Sequence, residues 1–357
     1  MLRPLFATTH NASTSALHRM LDSNLQLAPT HQDQLVNHLP MALHALSDMG
    51  ATPERLQAFF KRYLVDHAVS HASAPVVAPT DWLALRGQAD AFAPLRAYFE
   101  QALDREGADA LLHRALPDLL GGVASAAFHG VIRLAHAMQA GHPGELASAL
   151  AYWAWRWRIL PPPRLRGASL ADNGAAAPVL LSFDAWSSKL MDGARAWHSN
   201  GPSITVQMEK ASHSPLYQEL AGALAPLDTT RDRVAELAGM ALKIYMGSGS
   251  FTALHMITGM RALRILLPWI ENLDSVQPVL AHAMTAACLA SQVPGSSKQV
   301  TVRRADWSSV VLAATKSEDA HVIKLVHACR EEQEAYGTAT YLDAAALSLG
   351  WTVMPAQ

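Results

Sequence analysis

The amino-acid sequence predicts an all-α fold: one large helical domain over residues 1–357, with a few long loops and little or no β-structure. Three observations predict it. Apolar residues recur at helical spacing through most of the chain, Gly or Pro marks most junctions between these stretches, and only "APVLLSF" and "SITVQM" have the length and branched composition of strands. Composition agrees, since 357 residues, 50% of them hydrophobic and 16% charged, suffice to bury a large core.

The elements follow in order. "QLVNHLPMALHAL" carries Pro40, which lacks an N–H and whose ring opposes the carbonyl four residues back, so a helix is kinked there or begins there. "GATPERLQAFFKRYLVDHAVSH" supplies Thr52 as N-cap, Pro53 at the first helical position and Glu54 in the first turn. Leu56, Phe59, Phe60, Tyr63 and Leu64 then form one apolar face. "DAFAPLRAYFEQALDREGADALLHRALPDLL", "SAAFHGVIRLAHAMQAG" and "PGELASALAYWAWRWRIL" continue the period. Two connections break it, in regions of about 161–181 and 198–216, which read as surface crossings suited to a lid or substrate loop. "DRVAELAGMALKIYMG", "SFTALHMITGMRALRILLPWI", "VQPVLAHAMTAACLASQ", "SEDAHVIKLVHACREEQEAYG" and "ATYLDAAALSLGW" complete the helices. There is no fixed-period repeat, which disfavours a solenoid.

Composition also excludes partners. With 28 Lys plus Arg against 30 Asp plus Glu there is no basic footprint for nucleic acid and no polybasic signal for a membrane. "RALRILLPWI" stops at a proline and is flanked by charge, so no apolar run reaches spanning length. Two cysteines, Cys288 and Cys329, suit a reduced interior, and "MLRPLFATTHNAS" lacks the apolar core of a signal peptide, so a cytoplasmic protein is expected. Ala-rich faces permit a homodimer without requiring one.

The chemistry lies in 17 histidines. A buried imidazole must find partners for two ring nitrogens, so His38, beside Asn37 at the irregular point before Pro40, is either satisfied by a local carbonyl or holds something. His129, Arg133 and His136 fall along one helix edge with Gly130 making room beside the first imidazole. His255 stands below Thr258, Gly259 and Ala262, and facing small residues leaves space for a metal or ligand, although close helix packing gives the same pattern. His321 and Lys324 share a face with Leu325 and Ala328. Burial lowers a lysine's pKa, and a neutral amine can take up carbon dioxide as a carbamate able to ligate metal; from spacing alone, snorkelling is the commoner outcome. Tyr341 is a candidate to orient a substrate, or part of a packed terminal helix. The cluster "YWAWRW" at Tyr152–Trp157 either walls a flat pocket or fills a core.

Other templates fail. "EDAH" has no second copy, which removes the di-iron bundle, and there is no His-Glu-x-x-His, Cys cluster or Gly-x-Ser-x-Gly. "GSGSFT" puts Thr252 where a dinucleotide loop needs its last Gly, so NADPH has no binding motif here.

Four ordered stretches, "NHLPMALHAL", "FHGVIRLAHAM" with "GELASALAYW", "FTALHMITGMRALR" and "DAHVIKLV", resemble the questin oxidase-like family. The resemblance implies an all-α, oxygen-using enzyme of polyketide or aromatic metabolism. Some members resemble Baeyer-Villiger oxidases that open an anthraquinone ring, and one type is a mononuclear non-haem iron oxygenase. Carried over through the matching stretches, the ligands implied for Fe(II) are His38, His129, His255, His321 and a carboxylated Lys324. Given such a site, Asn37 is expected beside the ligands and Arg133 or Tyr341 toward the substrate. The expected activity is an O2-dependent oxygenase on a quinone, phenol or enol, with oxygen insertion or C–C cleavage. An NADPH-dependent Baeyer-Villiger monooxygenase is the alternative, and a helical binding or scaffold protein with core histidines is the non-enzymatic one.

Overall fold

The computed structural model describes residues 12–31, 35–67, 70, 76–163, 179–198, 201–293 and 305–351. Among these the fold is all-α. In chain order, the helices are α1 (Ala12–Asn24), α2 (Leu39–Asp48), α3 (Pro53–His67), α4 (Phe92–Leu120), α5 (His129–Ala140), α6 (Pro143–Arg156), α7 (Phe183–Ala196) and α8 (Ile204–Ser212). They continue as α9 (Pro215–Leu220), α10 (Thr230–Ser248), α11 (Phe251–Leu266), α12 (Val276–Ala290), α13 (Trp307–Lys316), α14 (Ala320–Tyr336) and α15 (Thr340–Ser348). Between α1 and α2 the strands β1 (Thr30–His31) and β2 (Leu35–Val36) pair antiparallel, Thr30 with Val36 and His31 with Leu35. No helix among the described residues is long and apolar enough to cross a membrane.

Local chemistry sets the helix ends. The side chains of Ser203, Ser214, Thr229, Asp306 and Asp319 accept amide N–H groups of the first turns of α8, α9, α10, α13 and α14, groups that otherwise lack partners. Gly141, Gly249 and Gly337 end α5, α10 and α14 in left-handed conformation, where glycine meets no Cβ penalty. Pro40 opens α2, resolving the choice between kink and start in favour of a start.

Three local expectations change. "SITVQM" forms the start of α8, because Ser203 caps it by accepting from the Val206 amide, and Met208 and Ala211 bury one helical face. The connection expected over 198–216 therefore carries a helix. Of "APVLLSF", Leu181 makes one isolated bridge, to Leu224, before α7 begins; residues 164–178 of the other connection lie outside the described residues. The helix expected from Ser125 begins at His129, because Ala126, Ala127 and Phe128 take positive φ of 48°, 56° and 67°.

One hydrophobic cluster takes in residues from α1 through to α15. At its centre α2 packs on α5, α5 on α11, α11 on α14 and α14 back on α2, a closed ring of four helices. Their long apolar runs follow from this, since α5 and α11 are covered on nearly every side.

Candidate metal centre

Each helix of the central ring brings a histidine to the same end. His38 immediately precedes α2, His129 is the first residue of α5, His255 lies in the second turn of α11 and His321 in the first turn of α14. The rings lie tilted against one another, with centroid separations of 4.9 Å for His38 and His129, 4.8 Å for His129 and His255, 5.6 Å for His255 and His321, and 4.5 Å for His321 and His38. The Nε2 atoms of His38 and His129 are 2.9 Å apart.

What holds the rings explains which nitrogen faces inward. His129 Nδ1 donates to the Ala126 carbonyl at 2.6 Å and His255 Nδ1 to the Phe251 carbonyl at 2.8 Å, while His321 Nδ1 lies 3.3 Å from the Asp319 carboxylate. Each outer nitrogen thus has an acceptor, which leaves Nε2 for the interior of the quartet. His255 Nε2 is buried there without a hydrogen-bond partner. An outward Nδ1–H bonded to a carbonyl or carboxylate is the usual support of a metal-ligating histidine.

The left-handed turn ahead of α5 makes this possible. Three consecutive non-glycine residues at positive φ cost roughly 1–2 kcal/mol each, and they point the Ala126 carbonyl back at the His129 ring. Phe128, the last of them, fills the space beside Gly259, where a Cβ would lie 2.9 Å from its ring. The small residues below His255 therefore admit a packed phenyl ring from α5, the close-packing alternative of the sequence reading. Tyr63 of α3 steadies the first histidine by accepting the His38 backbone N–H at 2.8 Å. Phe251 covers the other side, its ring 4.7 Å from His255 and 4.6 Å from His321, yet it is 51% exposed. The quartet thus borders solvent at His321 and Phe251.

Lys324, one turn beyond His321, is 2% exposed. Burial pulls its pKa down to about 7, with the Asp319 carboxylate opposing. All four histidines are held below their ordinary value, by burial first; nearby Lys324 adds to this in every case, while the Asp319 carboxylate opposes it at His321. The quartet is therefore neutral near pH 7. Neutral imidazoles are the form that ligates metal, and a neutral amine can take up carbon dioxide. The donor set and the orphaned His255 Nε2 fit a nitrogen-rich divalent centre such as iron.

The residues expected beside the ligands sit elsewhere. Asn37 does not reach an imidazole: its Nδ2 donates to Asn24 Oδ1 at 3.0 Å and to the Ala28 carbonyl, and its Oδ1 accepts the Leu39 amide at 3.0 Å. It ties the start of α2 to α1. Arg133 turns to α6, where Nε and Nη2 donate to Glu145 at 2.7 and 3.0 Å and Nη2 also to Ser148. Both partners are 2% exposed, so this cation neutralises a buried carboxylate and leaves the helix edge shared by His129. Tyr341 is buried where α15 packs on the far end of α14, beside Glu332, and burial raises its pKa. Glu332 is eleven residues past His321, roughly 16 Å along a helix axis. Tyr341 is thus remote from the quartet.

A cavity of about 1150 Å³ adjoins the backbone that seats His38 and His129. Its lining includes Ala28, Pro29, Ser125, Ala126, Trp155 and Trp157, with Arg86, Arg156 and Arg158. Arg86 stacks on the Trp157 ring at 3.9 Å and Arg156 on Trp155 at 5.1 Å. The "YWAWRW" run therefore divides: Tyr152 and Trp153 are core, and Trp155 and Trp157 wall a pocket. Residues that the sequence reading missed are Tyr63, Asp319 and Phe251; of these, Asp319 two residues before His321 is a cap signal visible in the chain.

The family model described as Questin oxidase-like matches residues 35–329, most of the chain and all the residues of this quartet. Comparison with curated proteins gives no match.

Proposed function

The chain belongs to the Questin oxidase-like family, whose name suggests an oxygenase-type oxidoreductase, and we propose that it is a mononuclear non-haem iron oxygenase acting on an aromatic or polyketide-type small molecule. One observation carries this reading: three of four clustered histidines turn their Nδ1 outward, toward Ala126, Phe251 and Asp319, which leaves an unprotonated Nε2 on each for the interior of the quartet.

His38, His129, His255 and His321 would hold Fe(II), which when bound supplies the redox chemistry that spin-paired organic substrates need to react with dioxygen. Lys324 adds the anionic ligand after carboxylation: its neutral amine attacks the carbon of carbon dioxide, Nζ–C forms, one C=O π bond opens, and a proton passes to water. With the metal bound, the carbamate oxygen would balance charge that four neutral imidazoles leave uncompensated. The cavity walled by Trp155 and Trp157 accepts a flat ring, and Arg86, Arg156 and Arg158 favour a phenolate or enolate over its neutral form. Ala126 joins the two, since its carbonyl fixes His129 while its other face lines the cavity.

The test is anaerobic reconstitution of the full chain with Fe(II) in bicarbonate buffer, followed by oxygen-electrode assays with phenols and quinones. We expect bound iron in wild type, greatly reduced in His255→Ala, and oxygen uptake that requires both iron and substrate. Wild-type protein that retains no iron after loading would overturn the assignment.

A further inference from the structure

The same helices carry a second set of histidines deeper in the ring. Six residues after His38 comes His44 on α2, seven after His129 comes His136 on α5, and six after His321 comes His327 on α14, a step of roughly 9–10 Å down each axis. The three rings form a near-equilateral triangle, with centroids 5.1 Å apart for His44 and His136, 5.5 Å for His44 and His327, and 5.4 Å for His136 and His327. Imidazoles bound to one tetrahedral ion at metal–nitrogen distances of about 2.0–2.1 Å have centroids roughly 5 Å apart.

The nitrogens are as suggestive as the rings. His44 Nδ1 and His136 Nδ1 face each other at 2.9 Å. His327 Nε2 donates to Asp48 Oδ2 at 3.1 Å, the carboxylate–histidine pairing that supports metal ligands, and its Nδ1 has no hydrogen-bond partner although the side chain is 0% exposed. Leaving such an atom unpaired costs about 1–3 kcal/mol. Among the described residues, the set whose ligand atoms all lie within 4.8 Å of one another is Asp48, His327 and Glu331, so His44 and His136 must draw closer to His327 when an ion binds. The fourth helix, α11, contributes Arg261 in place of a histidine; it is fully buried and paired with Glu331 and Gln139, so it closes the layer and consumes one of the two carboxylate charges. Asp48 remains to balance a cation.

We infer that His44, His136 and His327, with Asp48 behind His327, form a second metal site for a divalent transition ion of the zinc or iron type, separate from the quartet at the end of the ring. A purely structural role satisfies the His44–His136 pair but leaves His327 Nδ1 without a function.

The test uses Co(II) as probe, followed by visible absorption and by metal analysis of the full chain. In a His129→Ala/His255→Ala protein, which disables the outer quartet, one Co(II) per chain should still bind. Asp48→Asn in that background should weaken it by 10–100-fold, and His44→Ala/His136→Ala in an otherwise native chain should remove one ion and leave any bound by the quartet. Asp48 is about half-exposed, so its variant keeps the test valid if the core double variant does not fold. Absence of Co(II) binding in the quartet-disabled protein, or binding indifferent to Asp48→Asn, overturns the inference. A wild-type chain that binds a single Co(II), lost in His44→Ala/His136→Ala and kept in His129→Ala/His255→Ala, instead overturns the oxygenase reading and leaves this one standing.

Discussion

His38 Nε2 and His129 Nε2 stand 2.9 Å apart although 91 residues separate them in the chain. Burial and neighbouring cations keep both rings neutral, so without a metal one of the two must carry its proton on Nε2 to make that contact. For His129 this conflicts with the Nδ1–H that the Ala126 carbonyl accepts, so His38 is the donor. An ion between them replaces one neutral hydrogen bond, worth about 1 kcal/mol, by two coordinate bonds. Changing either residue to Ala should cost metal-free protein about 1–3 kcal/mol, from the partner nitrogen left unpaired, and at least about 100-fold in Fe(II) affinity by anaerobic chelator competition. Variants that bind iron as tightly as wild type would remove both from the ligand set.

The fold was legible because helical periodicity is a local property: Thr52-Pro53-Glu54 and the apolar face after it suffice for α3. The four histidines were legible as odd residues in apolar surroundings, and family resemblance grouped them. The failures are non-local. Arg133 reads as part of the His129 edge until Glu145 of α6 claims it, and Asn37 reads as a partner of His38 until Asn24 of α1 does. The left-handed turn at Ala126–Phe128 was invisible because alanines there match a helix, and the fit of Phe128 against Gly259 of α11, a non-local contact, helps to stabilise the rarer backbone.

That turn makes a direct prediction. A β-branched side chain tolerates positive φ poorly, so Ala126→Val should destabilise by about 2 kcal/mol and reduce iron loading with it, since the carbonyl that orients His129 moves. Ala126→Gly, free of the Cβ penalty, should keep both near wild type. Chemical denaturation and metal content, measured side by side, check the pair; equal behaviour of Val and Gly would show that the backbone there carries no strain.

Arg133 separates structure from catalysis. Arg133→Met leaves the Glu145 carboxylate buried and unpaired, which costs roughly 3–5 kcal/mol, whereas Arg133→Met with Glu145→Gln should recover most of the loss. In the folded double variant, Fe(II) affinity and turnover should stay within a few-fold of wild type. A large drop in turnover with stability restored would return Arg133 to the substrate.

Lys324 gives the pH dependence. Its folded pKa is depressed to about 7 by burial, whereas an unfolded lysine titrates near 10.5. Between these values the unfolded chain binds the extra proton, so the stability of metal-free protein rises with pH across the window from about 7 to 10.5 and is flat below it. The full penalty near pH 7 is on the order of 4 kcal/mol. Lys324→Met keeps the stem and removes the titration. It should raise the denaturation midpoint of metal-free protein at pH 7.5, flatten its dependence up to pH 9.5, and weaken Fe(II) binding, because the amine that would become a carbamate at the quartet is gone. The wild-type excess in iron affinity should in turn depend on bicarbonate and vanish in carbon-dioxide-free buffer. A lysine that snorkels to water would titrate normally, so a wild-type profile as flat as that of the methionine variant would place its amine outside the site.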